Sequence, residues 1–476
     1  MPAQIAIVHG WSDSSRSFHN LRRFLEANGY EVAQIWLGDY ISMDDDVRVE
    51  DVAKRMQHVV QDAIREKRLT RPFDLIVHST GGLVAREWLA TCYPTGEDAP
   101  VKRLVMLAPA NFGSKLAAMG KSMIGRVAKG WNNWFQTGEE MLRSLELASP
   151  YQWNLARRDL FDVEETGAKG PYGSERVWPF VITGTRAYST GLRKIVNEYG
   201  SDGTVRACAA NLNAVGMTLD FAADPANPTV RRWRPKGDML CPFAVLPDRD
   251  HGAVTDPDQA SGARGESSGW AGRLILQALA CNSVPDYRAI QDEWWRLSER
   301  TTALADDAER LRTMFPRSPP DRQSYHQHMQ FVVRARDDYG QPVGDYFLEF
   351  FSPKAAGDRE AVFFHSEVLG HVHTNTRDPS LRCLYIDRTD LMQRFYPMLR
   401  QGEARQLAMS ISAARIGPNI RYFDKTRDGA TGHIVIHREN PDDAAAGEER
   451  LHRNATHLVE VIIPRQPVDK VFRLSQ

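Results

Sequence analysis

The stretch "LIVHSTGGLVARE", residues 75–87, places a serine between an apolar run typical of a buried strand and a segment with the pattern of a helix. A turn from a strand directly into a helix lifts the serine hydroxyl above the edge of the sheet and directs the next amide, that of Thr80, to the same space. Gly81 and Gly82 suit the close approach of the two main chains in such a turn. Ser79 is therefore the candidate nucleophile, and an N-cap of the following helix is the alternative role.

Strand and helix patterns alternate on both sides of this turn. Short apolar runs predict strands at "IAIVHGW", "YEVAQIWL", "FDLIVHS" and "VKRLVMLAPA". Between them, two sets of apolar residues each share one helical face, namely Phe18, Leu21 and Leu25, then Val52, Met56, Val59 and Ala63. Strands separated by helices favour an α/β fold with a mostly parallel sheet and right-handed crossovers.

The 476-residue chain is long enough for more than one domain. We expect an α/β domain over residues 1–282, with strand patterns resuming at "VWPFVITGT" and "CPFAVLP". Residues 283–322 predict a long helix that connects two domains and is broken by the prolines of "PRSPPDRQS". From residue 323 to 476 the apolar period changes to two, which predicts a β-rich, sandwich-like accessory domain.

An insert at about residues 115–173 interrupts the alternation. It is rich in large apolar side chains: Met119, Met123, Trp131, Trp134, Phe135, Met141 and Trp153. One interpretation is a cap or lid that covers an apolar pocket and opens against lipid. The other is that these side chains only pack the insert onto the core.

Two further residues complete a candidate catalytic constellation with Ser79. Asp202 lies in the turn "YGSDGTVR" and His251 in the loop "LPDRDHGAVT", each after a predicted strand. A serine needs a base to take its proton, and that base needs a carboxylate to hold its tautomer. The carboxyl ends of parallel strands meet at one edge, so the order serine, aspartate, histidine predicts that the three side chains converge there.

Other roles remain open for these residues. Asp202 is also suited to a turn that bonds its own backbone, and His251 to an exposed loop. Asp250, Asp248 and Asp238 are rival acids, of which Asp250 is adjacent to His251.

The oxyanion donors are expected at two amides, those of Thr80 and Trp11. Trp11 follows the first strand in "VHGW", where a second donor is needed, although His9–Gly10 also fits an ordinary turn. Trp11 and His78 are the predicted substrate contacts.

The segments "VHGW", "VHSTGGLVARE", "LAPANFGSKLA", "GSDGTVR" and "DHGAVT" resemble the α/β-hydrolase superfamily over about residues 3–280. The resemblance is closest to its lipase branch, which includes triacylglycerol lipases, lecithin–cholesterol acyltransferase-like enzymes and GPI inositol-deacylase-like proteins. It implies Ser79 as nucleophile, Asp202 as acid, His251 as base, and Trp11 and Thr80 as oxyanion donors. Val77 departs from the pattern, which has glycine there. Residues 323–476 resemble no family that we recognise.

Net charge, cysteine content and targeting patterns limit the binding partners and the cellular compartment that we expect for the protein. A net charge of −1 gives no electrostatic footprint for nucleic acid. The five scattered cysteines have no metal-ligand spacing, so we expect reduced thiols. A signal peptide and a spanning segment are absent from the pattern, which favours a cytoplasmic protein or signal-independent secretion. No cofactor is expected.

Two weak metal patterns occur in the β-rich region. Asp337, Asp338 and Asp345 lie near its first turn and suggest calcium, although surface turns are ordinarily acidic. His371 and His373 alternate in "GHVHTN" without a third ligand.

The sequence thus predicts a serine carboxylester hydrolase of the lipase or phospholipase type, acting on a lipid or other acyl ester and touching a membrane surface transiently. The alternatives are an acyltransferase on the same fold, a secreted antibacterial phospholipase effector, and an interaction protein with a vestigial hydrolase domain. The β-rich domain is a candidate site for lipid, for a protein partner or for another subunit.

Overall fold

A computed structural model of the chain divides it into two units. The first contains residues 1–213 and 234–326, and the second contains residues 214–233 and 327–476. The structure describes residues 4–8, 15–34, 45–118, 138–188, 197–257, 269–314, 322–353, 358–399, 405–414, 417–422, 432–438, 452–467 and 471.

The first unit is built on a six-stranded parallel sheet with the order β10-β6-β4-β3-β1-β2. β7 and β8 belong to the second unit, and the strands up to residue 250 are β1 Gln4–Val8, β2 Glu31–Gln34, β3 Phe73–His78, β4 Val101–Leu107, β5 Phe161–Asp162, β6 Trp178–Gly184, β7 Val215–Asp220, β8 Thr229–Arg232, β9 Arg234–Pro235 and β10 Phe243–Leu246. The central strand β3 is buried along its whole length. The predicted α/β fold is therefore confirmed, and its order reverses beside β1 and β3, as ligand-binding sheets of this class do.

Helices cover the parallel sheet. They are Ser15–Ala27, Val49–Arg65, Thr80–Cys92, Ala207–Ala210, Trp270–Ala280 and Val284–Met314, with a 3-10 turn at Ala253–Thr255. Phe18, Leu21 and Leu25 are buried as predicted, and Gly29 ends that helix with a φ of 86°. In the next helix Val60 lies in the core where the sequence analysis expected its neighbour Val59.

The insert forms three short helices in its described part, Lys115–Ala118, Glu139–Leu145 and Pro150–Asp159. Met141 and Trp153 are both buried, so these two side chains pack the insert onto the core. Met119, Met123, Trp131, Trp134 and Phe135 lie outside the described residues. The lid interpretation therefore stays a prediction.

The helix Val284–Met314 lies within the first unit, whereas the sequence analysis treated it as a connector. Its Thr301 hydroxyl donates to the carbonyl of Val245 in β10 at 2.7 Å. Tyr287 and Trp294 join the core that contains β6 and β10. An apolar face of this helix thus covers the β10 edge of the parallel sheet.

The second unit contains a six-stranded mixed sheet and a three-stranded sheet, with orders β13-β14-β11-β18-β7-β8 and β12-β15-β17. A further pair joins β16 to β19. The remaining strands are β11 His328–Asp337, β12 Tyr346–Phe351, β13 Leu369–Thr374, β14 Leu381–Asp387, β15 Gln406–Ala413, β16 Ile420–Tyr422, β17 Ile434–Arg438, β18 Ala455–Ile463 and β19 Arg465–Pro467. One hydrophobic core takes side chains from both larger sheets, including Phe331, Phe350 and Leu407.

Short helices complete the second unit. They are Asp358–Phe363, Arg388–Asp390 and Tyr396–Met398, with π-helical turns at Phe364–Val368 and Leu391–Phe395. A 3-10 turn, Arg322–Tyr325, lies in the first unit just before the division between the units.

One feature of the second unit differs from the sequence expectation. The segment 214–233, expected in the hydrolase domain, forms β7 and β8, and β7 pairs in parallel with β18. The strands β11 and β12, which flank Gly340, belong to different sheets, since β11 pairs with β14 and β12 pairs with β15. In both cases the partner strand is distant in sequence.

Candidate active site

Ser79 lies on the sharp turn between β3 and the helix Thr80–Cys92. Its φ of 55° and ψ of −124° are an uncommon combination for a residue with a side chain, and it persists because the surroundings hold it. Its amide donates to the carbonyl of Leu107 at 3.0 Å, and its carbonyl accepts from Gly82 at 3.0 Å. The turn that the sequence predicted is therefore present.

The residues around the turn explain its composition. A Cβ on Gly82 would lie 2.7 Å from the Cβ of Pro109, so this position needs glycine. Val77 stands where the resemblance has glycine, and it is fully buried within β3, with Val8 and Met106 as its neighbours on the adjacent strands. A valine at this position fits the strand.

His251 is carried by the loop that follows β10. This loop lies close to the end of β6, because a Cβ on Gly184 would be 1.8 Å from the carbonyl oxygen of Arg249. The amide of Arg186 also donates to that oxygen at 3.1 Å. The end of β6 thus fixes the main chain two residues before His251.

Asp202 lies in a tight turn that orients its carboxylate. One oxygen, Oδ1, accepts from the amides of Thr204 and Val205 at 2.9 and 2.7 Å. The next residue, Gly203, has a φ of 94°, and a Cβ there would lie 2.6 Å from the Tyr188 ring. The second oxygen of Asp202 is left to face the histidine.

The three side chains meet in one chain of hydrogen bonds. His251 Nδ1 lies 2.8 Å from Asp202 Oδ2, and His251 Nε2 lies 2.9 Å from Ser79 Oγ. An ionised carboxylate only accepts, so Nδ1 carries the imidazole proton and Nε2 accepts from the serine hydroxyl. All three residues are at most 3% exposed, which keeps competing water from these bonds. The arrangement can transfer the serine proton to the imidazole.

The rival acids have other partners. Asp250 accepts the amides of Gly252 and Ala253 through Oδ1. Asp248 forms an ion pair with the buried Arg249 at 2.8 Å. Asp238 accepts from the amide and hydroxyl of Ser174.

The predicted oxyanion donors are Thr80 and Trp11, and the predicted substrate contacts are Trp11 and His78. Thr80 begins the helix behind Ser79, where first-turn amides are not used by the helix itself. Trp11 lies outside the described residues. His78, a predicted substrate contact, is 1% exposed, and its Nε2 lies 2.8 Å from the carbonyl oxygen of His251.

The sequence analysis missed a buried ion pair behind the turn. Arg86 reaches both oxygens of Asp159, with Nε to Oδ2 at 2.8 Å and Nη2 to Oδ1 at 3.1 Å. Its Nη1 donates to the carbonyl of Asn111 at 2.8 Å. The pair joins the helix after Ser79, the loop after β4 and the insert. The available signal was the pair of charged residues Arg86 and Glu87 within the otherwise apolar "GGLVAREWLA".

The neighbouring Glu87 ties the same two helices together. Burial opposes its ionisation, but hydrogen bonds from Arg158, Thr91 and Tyr151 together lower the pKa of Glu87 below its usual value. The hydroxyl of Tyr151 donates to Glu87 at 2.8 Å. Glu87 is therefore an ionised link between the helix Thr80–Cys92 and the insert.

The residues that suggested a metal ion in the second unit make contacts that are common in proteins without one. Asp337 accepts the amides of Tyr339 and Gln341, as a turn aspartate does. Within the described residues, Asp337, Asp338 and Asp345 do not assemble into a group that could hold a metal ion. His371 and His373 stack on one face of β13, with ring centroids 6.3 Å apart.

The model of the family described as "Alpha/beta hydrolase family" matches residues 5–264, more than half of the chain. The chain belongs to the alpha/beta hydrolase family. Membership agrees with the resemblance that the sequence motifs carry and with the fold of the first unit. A search of curated proteins gave no match.

Solved structures extend the likeness beyond the hydrolase unit. Phospholipase PlaB from Legionella pneumophila is similar with a TM-score of 0.77 and 23% identity, covering 100% of this chain and 96% of that one. The same phospholipase in complex with thio-NAD is similar with a TM-score of 0.74, 24% identity and the same coverage. The fold is therefore shared over the whole length of this member of the family.

None of the helices in the described part of the chain has the length and apolar character needed to cross a membrane.

Proposed function

We propose that this alpha/beta hydrolase is a serine carboxylester hydrolase of the lipase or phospholipase type. The observation that carries the proposal is the unbroken hydrogen-bond chain from Ser79 Oγ through the His251 ring to Asp202. The order of its members along the chain and their position at the ends of parallel strands support it as well.

In the first half of the reaction, Ser79 Oγ forms a bond to the carbonyl carbon of the ester while its proton passes to His251 Nε2. Asp202 stabilises the resulting imidazolium through Nδ1 and stays ionised. Collapse of the tetrahedral intermediate breaks the bond to the alcohol oxygen, which takes the proton from Nε2. The acyl group is then an ester of Ser79.

In the second half, water attacks the acyl carbon and gives its proton to the same nitrogen of His251. The bond to Ser79 Oγ breaks, and the serine regains its proton as the carboxylic acid leaves. The amide of Thr80 is the proposed donor to the negative oxygen in both intermediates, and Trp11 supplies the second amide. No cofactor takes part in this scheme.

A lipid substrate is supported by the shared fold with a phospholipase over the whole chain. The proposal includes transient contact with a lipid surface through the apolar insert, because moving large apolar side chains out of water lowers the free energy. The role of the second unit in recognising a protein partner stays a prediction.

The test uses vesicles of phosphatidylcholine and phosphatidylglycerol, with released fatty acids and lysolipids measured by mass spectrometry. Ser79→Ala is expected to lower turnover by roughly 10,000-fold or more while the protein stays folded. Ser144→Ala is the matched control, because it removes another buried serine hydroxyl, one that donates to the Glu140 carbonyl of its own helix. Full turnover by Ser79→Ala would reject the mechanism. Hydrolysis of short soluble esters without any release from vesicles would reject the lipid substrate alone.

A further inference from the structure

We propose that His78 is a positioning residue that holds the main chain of the base His251, a role distinct from contact with substrate. The inference rests on the proposed function, since it assigns His78 to the same reaction. It is carried by main-chain contacts around His251 that the mechanism above does not use.

The first contact is between neighbours of the nucleophile and the base. His78 is the last residue of β3 and directly precedes Ser79. Its Nε2 lies 2.8 Å from the carbonyl oxygen of His251, in a buried site. A carbonyl oxygen only accepts, so Nε2 of His78 carries the proton of this bond.

The second contact is at the other side of the same residue. The amide of His251 donates to the carbonyl oxygen of Asp202 at 2.9 Å. Both main-chain groups of the base are therefore bonded, one to the acid and one to the residue before the nucleophile. The His251 ring is bonded to the side chains of Asp202 and Ser79. Four hydrogen bonds thus hold His251, two from the segment His78–Ser79 and two from Asp202.

Ring packing fixes the orientation of His78. Its ring centroid lies 4.9 Å from that of His251, at an interplanar angle of 46°. The ring of Phe18 meets it edge-on, with the centroids 5.9 Å apart. Because His78 is 1% exposed, it offers a substrate almost no surface. The hydrogen bond to His251 is a direct contact through which His78 acts on the base.

Loss of this bond would free the carbonyl end of His251 and let its imidazole move relative to Ser79. A displacement of about 1 Å in a catalytic group can lower the rate about 100-fold. We therefore expect kcat to fall about 10- to 100-fold with KM unchanged, because His78 acts on the base and leaves ground-state binding alone.

A matched pair of variants tests this. The amide nitrogen of glutamine reaches the position of Nε2, whereas that of asparagine reaches only the position of Nδ1. His78→Gln should keep kcat within about 3-fold of the wild type, and His78→Asn should show the full loss with unchanged KM. The rate of Ser79 labelling by a fluorophosphonate should fall in parallel in the asparagine variant. Thermal unfolding of both variants establishes that they are folded.

A measurement without turnover accompanies the assay. The proton on His251 Nδ1, bonded to Asp202, should give a downfield NMR signal that persists in His78→Gln and broadens or vanishes in His78→Asn. Equal activity and equal spectra of the two variants would overturn the inference, as would a changed KM with unchanged kcat. Undiminished activity of Ser79→Ala would instead overturn the proposed function, and the NMR comparison would still decide the role of His78.

Discussion

Breaking the buried Arg86–Asp159 ion pair is expected to destabilise the hydrolase unit strongly. The change Asp159→Asn keeps the shape of the side chain and removes its charge. Both members of the pair are fully buried, with no exposed side-chain surface. The Asn111 carbonyl, which also accepts from the guanidinium, is uncharged, so the change leaves the positive charge of Arg86 without its buried counter-charge.

The magnitude follows from that burial. Removing one partner of a buried pair costs about 3–5 kcal/mol, because the other charge stays in a medium that solvates it poorly. Replacing both partners by apolar residues of similar volume is often neutral or stabilising by about 1–4 kcal/mol. Arg86→Met combined with Asp159→Leu should therefore be far less destabilised than Asp159→Asn alone.

Urea unfolding of the full chain, followed by tryptophan fluorescence, measures these free energies. Trp88 and Trp153 lie on the two helices that the pair joins, and both are buried. The reasoning would be refuted if Asp159→Asn stayed within about 1 kcal/mol of the wild type. It would equally be refuted if the double variant were as unstable as the single one.

Two further outcomes are expected. Gly184→Ala should lower kcat about 100-fold, because the new Cβ would collide with the Arg249 carbonyl and displace the loop that carries His251. Gly417→Ala is the control and should leave ester turnover unchanged, because a Cβ at this position meets no atom within 4 Å. Burial lowers the pKa of His437 from 6.5 to about 4. Between these two pH values the unfolded chain binds a proton that the folded chain does not. The free energy of unfolding should therefore fall by roughly 3 kcal/mol as the pH drops from above 6.5 to below 4. Urea unfolding across that range should show the fall in the wild type and a weaker one in His437→Gln; equal slopes would contradict it.

The sequence was sufficient for the parallel sheet and for the positions of Ser79, Asp202 and His251. Ser79 directly follows β3, and Asp202 and His251 lie in the loops after β6 and β10. The apolar runs of these strands are visible locally, and parallel strands end at a common edge. The turn at Ser79 could be predicted from the sequence despite Val77, because the strand, the turn and the helix each have a local pattern.

Other features depend on contacts between distant segments. β7 joins the second unit by pairing with β18, whose residues lie more than 200 positions later. The pattern of β7 alone is equally suited to either unit. His78 and Arg86 were likewise visible as residue types, but their partners His251 and Asp159 are fixed only by the folded chain. Local periodicity contains no information about such pairings.

Labelling of the full chain by a fluorophosphonate, read by intact mass and peptide mapping, tests the central claim most directly. The account expects one adduct, located on Ser79 and absent from Ser79→Ala. In His251→Ala the labelling should be slower by at least roughly 1,000-fold, because no base then takes the serine proton. An adduct on another residue, or undiminished labelling of His251→Ala, would contradict it.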